Sequence, residues 1–452
     1  MTALLRPFAR ARKRLAARPA NEGLMLGLGA GVGLATGLLA ALLIEAIGLV
    51  QSLSFGSRPG WATILLVPAV GAFGAGVLLT YAFPESSGSG VIQVMRTIAM
   101  RGGRFRARVP AGGIAVTGVA LGTGASGGRE GPIVLIGGSV GSLLGRLFGV
   151  GEDALRTLVA AGAAAGIGAS FNAPIGGMLF AIELIVGGFR TRSLQVIVVA
   201  SVVGSVTARQ IIGSEIIYQP ATFYALSDPR RVGLAIVLAE LGLYALLGLA
   251  AAGFGLAFLY GEDFAKRMFA RLQLWRPFKL ALGGLGVGAI ALLIPEVLGT
   301  GDKLPPINGL REPIQVMLNS EFGVGLSAAG ILLLFAIAKL VATCLSIGSG
   351  NAIGTFAPAL FVGAALGGAV GHVAESLITV ADVPPGAFAL VGMAALFAAA
   401  ARAPLTAILI VFELTNDYQL VLPLMLAAGI ATFVADRVEP DSVYTHPLRQ
   451  QG

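Results

Sequence analysis

Long apolar runs recur along the chain, and none alternates with the period of two expected of a half-buried strand. Leu24–Ile44 is 21 residues without a charge, and about 20 residues cross a bilayer as a helix. Ala62–Phe83, Val232–Tyr260 (interrupted by Glu240), Leu280–Ile294 and Gly325–Ile347 (holding Lys339) follow. Shorter apolar pieces near 133–147, 155–171, 174–187, 387–400 and 404–414 are too short to span upright. The pattern predicts an all-α polytopic membrane protein with tilted or partial helices. The missing alternation argues against a β-barrel.

Composition strengthens this picture. Hydrophobic residues make up 56% of the 452, charged residues 12%, and mean hydropathy is +0.86; a soluble domain is about 25% charged. Glycine is abundant, at 66 residues, which suits close helix packing in lipid and irregular backbone around a buried site. The lone Cys344 excludes a disulfide within the chain. Arg6, Arg10, Arg12, Lys13, Arg14 and Arg18 precede the first apolar run. That run is too long for a signal peptide's core, so the basic end reads as cytoplasmic. The net charge of +8 then fits contact with anionic lipid, not nucleic acid. The expected organisation is a basic cytoplasmic tail over 1–22, a first membrane repeat over 23–218, a second over 231–438 and a short cytoplasmic segment over 439–452, with no soluble domain appended.

The two repeats are visible in spacing. Pro132 is followed by Gly137, Gly141 and Gly145; Pro358 is followed by Gly363, Gly367 and Gly371. Asn172-Ala173-Pro174 leads to Glu183 as Arg402-Ala403-Pro404 leads to Glu413. Ile92-Gln93-Val94-Met95 matches Ile314-Gln315-Val316-Met317. Three ordered matches at a nearly constant offset imply two pseudo-symmetric halves with a site between them, built from broken helices.

Three glycine-rich breaks precede apolar helices: Gly88-Ser89-Gly90, Gly128-Arg129-Glu130-Gly131-Pro132 and Gly354-Thr355-Phe356-Ala357-Pro358. Each leaves free backbone N–H groups at a helix start. One such end contributes at most ~2 kcal/mol toward an anion, whereas burying a bare ion costs several kcal/mol even after relaxation. Three converging ends with hydroxyl donors make a buried anion site or pathway; ordinary breaks between packed helices are the bland reading. Glu130 is an ionisable group within this apolar chain, which marks a functional site by default.

The three breaks, in order, resemble the anion-pathway motifs of the CLC family of chloride channels and chloride/proton exchangers, and Ser170-Phe171-Asn172-Ala173-Pro174 matches a further family segment. The resemblance covers residues 23 to 448. It implies a CLC-type inverted repeat in each subunit of a homodimer, of the bacterial kind without CBS domains. By resemblance, Glu130 is the outer gating glutamate, a tethered substitute for chloride that swings away when protonated. Ser89 and Gly90, Arg129 and Gly131, the amides of Thr355 and Phe356, and Tyr444 at the inner end are the implied anion-binding positions. A serine in the first motif goes with chloride preference in the family. No cofactor or metal is implied.

The chain departs from the family pattern at two places. The inner proton-transfer acid of well-studied bacterial exchangers falls on Leu184, after Glu183. Either protons enter by water or through Glu183, and exchange persists, or the protein conducts chloride passively; Glu183 and its mate Glu413 also fit a packing role. The first motif continues Val91-Ile92, without the family's usual proline. A remote rival is an intramembrane serine protease, because Gly124-Ala125-Ser126-Gly127 resembles a rhomboid motif; it needs a histidine base, and His372 is the candidate within an apolar stretch. The expected location is a bacterial inner membrane with both termini cytoplasmic.

Overall fold

The computed structural model describes residues 22–56, 59–188, 191–213, 233–300, 313–319, 325–377 and 384–450. The basic residues before Glu22, and the junction between the repeats near 214–232, lie outside them. Among the described residues, eight helices are long and apolar enough to cross a membrane, and the only extended pairing is one isolated bridge.

The first half contains α1 (Glu22–Phe55), α2 (Trp61–Val77, continued by a π-helical turn to Ala82), α3 (Gly90–Arg101), α4 (Val109–Gly122), α5 (Glu130–Leu147), α6 (Glu152–Phe171), α7 (Pro174–Phe180, continued as π-helix over Ala181–Val186) and α8 (Thr191–Ile212). The second contains α9 (Leu234–Arg271), α10 (Arg276–Ala291), α11 (Pro313–Leu318), α12 (Gly325–Gly348), α13 (Phe356–Leu377), α14 (Pro385–Ala401), α15 (Pro404–Thr415) and α16 (Val421–Val438), and a single turn, α17 (His446–Arg449), follows. Four of the five expected long spans are α1, α2, α9 and α12; the fifth, Leu280–Ile294, falls on α10, whose 16 residues end short of spanning length, while α8, α13 and α16 reach it unforeseen. The short pieces become α5, α6, α7, α14 and α15, of which α6 reaches spanning length.

Proline and asparagine set many of these boundaries. Pro174, Pro385 and Pro404 stand at first helical positions, where a missing N–H is harmless. Asn172 and Arg402, equivalent in the two halves, end α6 and α14 in the left-handed region at φ 54 and 58. The matched glycines explain why α5 lies so close to α6, and α13 to α14. A Cβ at Gly141 would overlap the Leu158 carbonyl, and one at Gly367 the Phe388 carbonyl. The same stripe therefore closes the same helix pair twice. Both inner helices are sunk in the core: Val159–Ala165 on α6 and every residue of α14 are buried.

The halves are joined by reciprocal contacts. Gly128 and Gly354 form an antiparallel bridge, each N–H donating to the other's carbonyl at 2.7 Å. Glu413 of α15 accepts from the N–H groups of Ile175 and Gly176 at the start of α7, at 3.0 and 2.6 Å. Glu183 of the α7 continuation accepts from Leu405 and Thr406 N–H at the start of α15, at 3.3 and 2.8 Å, and from the Thr406 hydroxyl at 2.6 Å. Each repeat thus caps a helix of the other, as a pseudo-twofold demands.

Two cations in apolar surroundings bond to backbone carbonyls. Lys339 donates to the Val297 and Gly299 carbonyls, both at 2.9 Å, and stands over the Phe361 ring at 5.2 Å. Arg402 donates to the Ala435 and Glu439 carbonyls at 3.1 and 2.7 Å, at the negative end of α16.

Candidate functional site

The Gly128–Gly354 bridge fixes the site. One residue beyond each glycine's neighbour a helix begins, α5 at Glu130 and α13 at Phe356. Because the bridged strands run oppositely, the two helix starts face each other across it. The third break joins them. A Cβ placed on Gly131 would lie 3.4 Å from both the Gly90 nitrogen and the Gly354 Cα. One glycine from each motif therefore meets at a single point, where the N-termini of α3, α5 and α13 converge. Such a convergence concentrates partial positive charge without a bare cation.

Glu130 sits at this point. It is 1% exposed, and its carboxylate folds back over Gly128, whose Cβ it would displace. It also reaches toward the other repeat: a Cβ on Gly354 would be 3.3 Å from Oε2. A carboxylate lying against the bridged starts of α5 and α13 occupies the kind of place an anion would take. The repeat-equivalent Phe356 is instead packed between Phe171 and Phe397, with ring centroids 4.7 and 4.2 Å away.

Ser89 is the N-cap of α3, with β-region backbone. Its Oγ is buried with no hydrogen-bond partner among the described residues, so its donor is available to a ligand at the mouth of α3. Tyr444 is 2% exposed and is positioned by its neighbour, since Val443 N–H donates to the Ala400 carbonyl at 3.0 Å. Burial pushes its phenol well above the ordinary tyrosine range, and the charges of Glu130 and Glu262 add to the rise. Tyr444 therefore stays neutral and able to donate.

Two expected residues have other partners. Arg129, grouped by sequence with the anion-binding positions, extends to α6, donating to Ser170 Oγ at 3.0 Å and the Ser170 carbonyl at 3.3 Å. Its guanidinium positions the Ser-Phe-Asn-Ala-Pro segment that carries Phe171. Glu183 has both oxygens committed to the start of α15, the packing role sequence had set beside proton handling. Leu184 is buried next to it. Ser126 has Thr343 Oγ1 at 3.1 Å, while His372 Nδ1 faces Glu375 at 3.3 Å; the serine–histidine contact of the protease rival is not formed.

Sequence reasoning passed over Glu262. It lies on α9, 4% exposed, and its Oε1 accepts from the Thr355 hydroxyl at 2.6 Å. Its Oε2 accepts from Lys266 Nζ at 3.0 Å. The available signal was an acid near the end of a long apolar run with a lysine four residues on.

An inverted pair of helical repeats, meeting through helix N-termini around a buried acid, defines an anion-handling membrane protein. The model of the voltage gated chloride channel family matches residues 70–436, and this chain belongs to that family, the CLC proteins. It is 38% identical over 394 residues to a ClcB-like chloride channel protein of Ralstonia nicotianae, covering 86% of each chain. It is 34% identical over 404 residues to the H(+)/Cl(-) exchange transporter ClcA of Vibrio cholerae, covering 87% of this chain and 80% of that one. A cyanobacterial Cl-/H+ antiporter of known structure superposes with TM-score 0.82 at 26% identity, over 94% of this chain and 97% of that one.

Proposed function

We propose that the protein exchanges chloride for protons across a bacterial inner membrane, with Glu130 as the gate and both termini in the cytoplasm. The carrying observation is the Gly128–Gly354 bridge, beside which the Glu130 carboxylate lies, with the start of α3 against the neighbouring Gly131. There the carboxylate and a chloride ion compete for the same dipoles. Chloride nearby favours the protonated acid, and the protonated acid yields its place to chloride. That mutual exclusion is the core of exchange. The Vibrio cholerae relative and the cyanobacterial structure, both named for chloride/proton exchange, support it. Ser89, Tyr444 and the Thr355 and Phe356 amides are the proposed anion contacts. The protein works as a homodimer, for which the exposed apolar side chains of Ile175 and Leu405, beside the reciprocal caps, offer a face.

The test is reconstitution in liposomes with an outward chloride gradient, recording chloride and proton flux together. Chloride efflux drives proton uptake in the wild type, and Glu130→Gln abolishes the proton movement. Leu184 at the usual inner acid position favours the second reading, passive conduction. Chloride flux with no proton movement in the wild type establishes it. Unchanged flux and pH dependence in Glu130→Ala removes Glu130 from the gate.

A further inference from the structure

Exchange requires a proton route to Glu130 from the inner face, and Leu184 cannot carry one. We propose that Glu262 is the inner proton-transfer acid of this protein, delivering protons through Thr355. This rests on the exchange reading above and assigns the half of the route that reading leaves open.

The geometry joins two regions. On one side Glu262 Oε1 is bonded to the Thr355 hydroxyl at 2.6 Å. Thr355 follows Gly354, the bridge partner of Gly128, and a Cβ on Gly354 would lie 3.3 Å from Glu130 Oε2. On the other side Glu262 lines a small cavity of about 20 Å³ with Asp263, Lys266, Val443, His446 and Gln450. That is room for about one water. Lys266 is 37% exposed, so this end reaches solvent at the face carrying the C-terminal segment, the cytoplasmic face in the proposed orientation. Glu262 is thus a buried acid with one oxygen toward water and the other toward the anion pathway.

The groups around it suit a relay. On its own helix are Lys266, bonded to Oε2, and Asp263, which is engaged by Arg267 and by Gln450 at 3.1 Å. From α12 comes Cys344, and from the start of α13 Thr355. From the C-terminal segment come Tyr444 and His446, and from α5 Glu130 acts on the same tyrosine. Lys266 Nζ and the Thr355 hydroxyl both donate to the Glu262 carboxylate. An anion at the Thr355 and Phe356 amides and a proton on Glu262 meet at the same residue, so the binding of either is linked to the other. In transfer, a proton from cavity water binds Oε2 as its contact with Lys266 breaks, and the carboxyl group rotates to turn that proton toward Thr355. The Thr355 hydroxyl turns its own hydrogen away from Glu262 toward water leading to Glu130, Oγ1 accepts the proton from the acid, and the original hydroxyl proton leaves to that water. One proton enters, one leaves, and rotation of the carboxylate and hydroxyl restores the starting contacts.

The full chain is reconstituted in phosphatidylethanolamine/phosphatidylglycerol vesicles, and proton and chloride fluxes are recorded together. In Glu262→Gln, protons moved per chloride fall at least about tenfold while chloride flux stays measurable; Glu262→Asp, which keeps a titratable group, restores coupling. Asp263→Asn, whose carboxylate is engaged by Arg267 and Gln450, keeps the wild-type ratio. Lys266→Gln guards against a misfolded Glu262 variant: losing the cation bonded to Oε2 moves the pH midpoint of proton delivery from that face. A purely structural Glu262–Lys266 pair leaves this midpoint fixed. A wild-type ratio in Glu262→Gln, or an unmoved midpoint in Lys266→Gln, overturns the assignment, as does loss of coupling in Glu183→Gln alone. These outcomes are read against a coupled wild type; a wild type moving chloride without protons overturns the exchange reading itself.

Discussion

Removing either reciprocal cap loosens a helix of the opposite repeat, and the size of the effect follows from the contacts. Glu413 takes two first-turn amides of α7, at 3.0 and 2.6 Å. Hydrogen bonds to charged groups contribute about 1.5–3 kcal/mol each. The Ile175 end is half exposed, so the lower value applies, and Glu413→Ala costs about 3 kcal/mol. Glu413→Gln keeps an acceptor and loses about half of that. Glu183→Ala costs at least as much, because its carboxylate also accepts the Thr406 hydroxyl. The two caps belong to neighbouring short helices, so loss of one frees the other. The double variant is then less destabilised than the sum by about 1 kcal/mol. The assay is thermal unfolding in detergent micelles, read as the fraction surviving size exclusion. Each alanine variant lowers the midpoint by about 5 °C. An unchanged midpoint in Glu413→Ala refutes the capping argument. A stable Glu183→Gln that has lost proton flux returns Glu183 to proton handling.

Further outcomes follow from single contacts. Gly141→Ala and Gly367→Ala each drive a Cβ into a neighbouring helix's carbonyl and cost about 1–3 kcal/mol, measurable by the same unfolding assay; Gly27→Ala, which meets nothing within 4 Å, does not. Ser89→Ala removes a buried donor worth about 1 kcal/mol, so chloride binding measured calorimetrically weakens about fivefold. Outside the spanning helices, burial pulls the Glu85 carboxyl up, but hydrogen bonds from Arg108 and Arg106 outweigh it and hold the group at about 2 against an ordinary 4.5. A depressed acid stabilises the fold fully above its unfolded value. The stability difference between wild type and Glu85→Gln is therefore constant above about pH 5 and disappears as pH falls toward about 2.

Much of the architecture was legible because a bilayer enforces length and apolarity. The spans α1, α2, α9 and α12 stand where the long apolar runs are, and the matched glycine spacings mark the same helix pair in each half. Partners across the chain were not legible. Lys339 and Arg402 bond to carbonyls that any sequence supplies, so no residue type announces them. Arg129 sits inside the most informative motif, yet its side chain serves Ser170, because the helix start needs its backbone and leaves its guanidinium to brace the next segment. Glu262 was missed because an acid with a lysine four residues on also reads as an ordinary surface pair; only its place near the end of an apolar run sets it apart.

The repeat gives the site its asymmetry. Both halves build the same device, a glycine-bridged helix start, and a fully symmetric pair would be two anion-attracting ends with nothing to titrate. Phe356 closes one of them with an aromatic stack against Phe171 and Phe397, so that end contributes backbone dipole and a dry wall. Glu130 gives the other a charge that competes with the ion the dipoles attract. The second acid then belongs where it meets the rigid half and not the mobile gate. Thr355 is that place: its neighbours Gly354 and Phe356 are fixed by the bridge and the stack, while its hydroxyl is free to point at Glu262. A proton handed through Thr355 reaches the gate from a fixed donor, which an acid on α7, already spent on capping α15, is not positioned to provide.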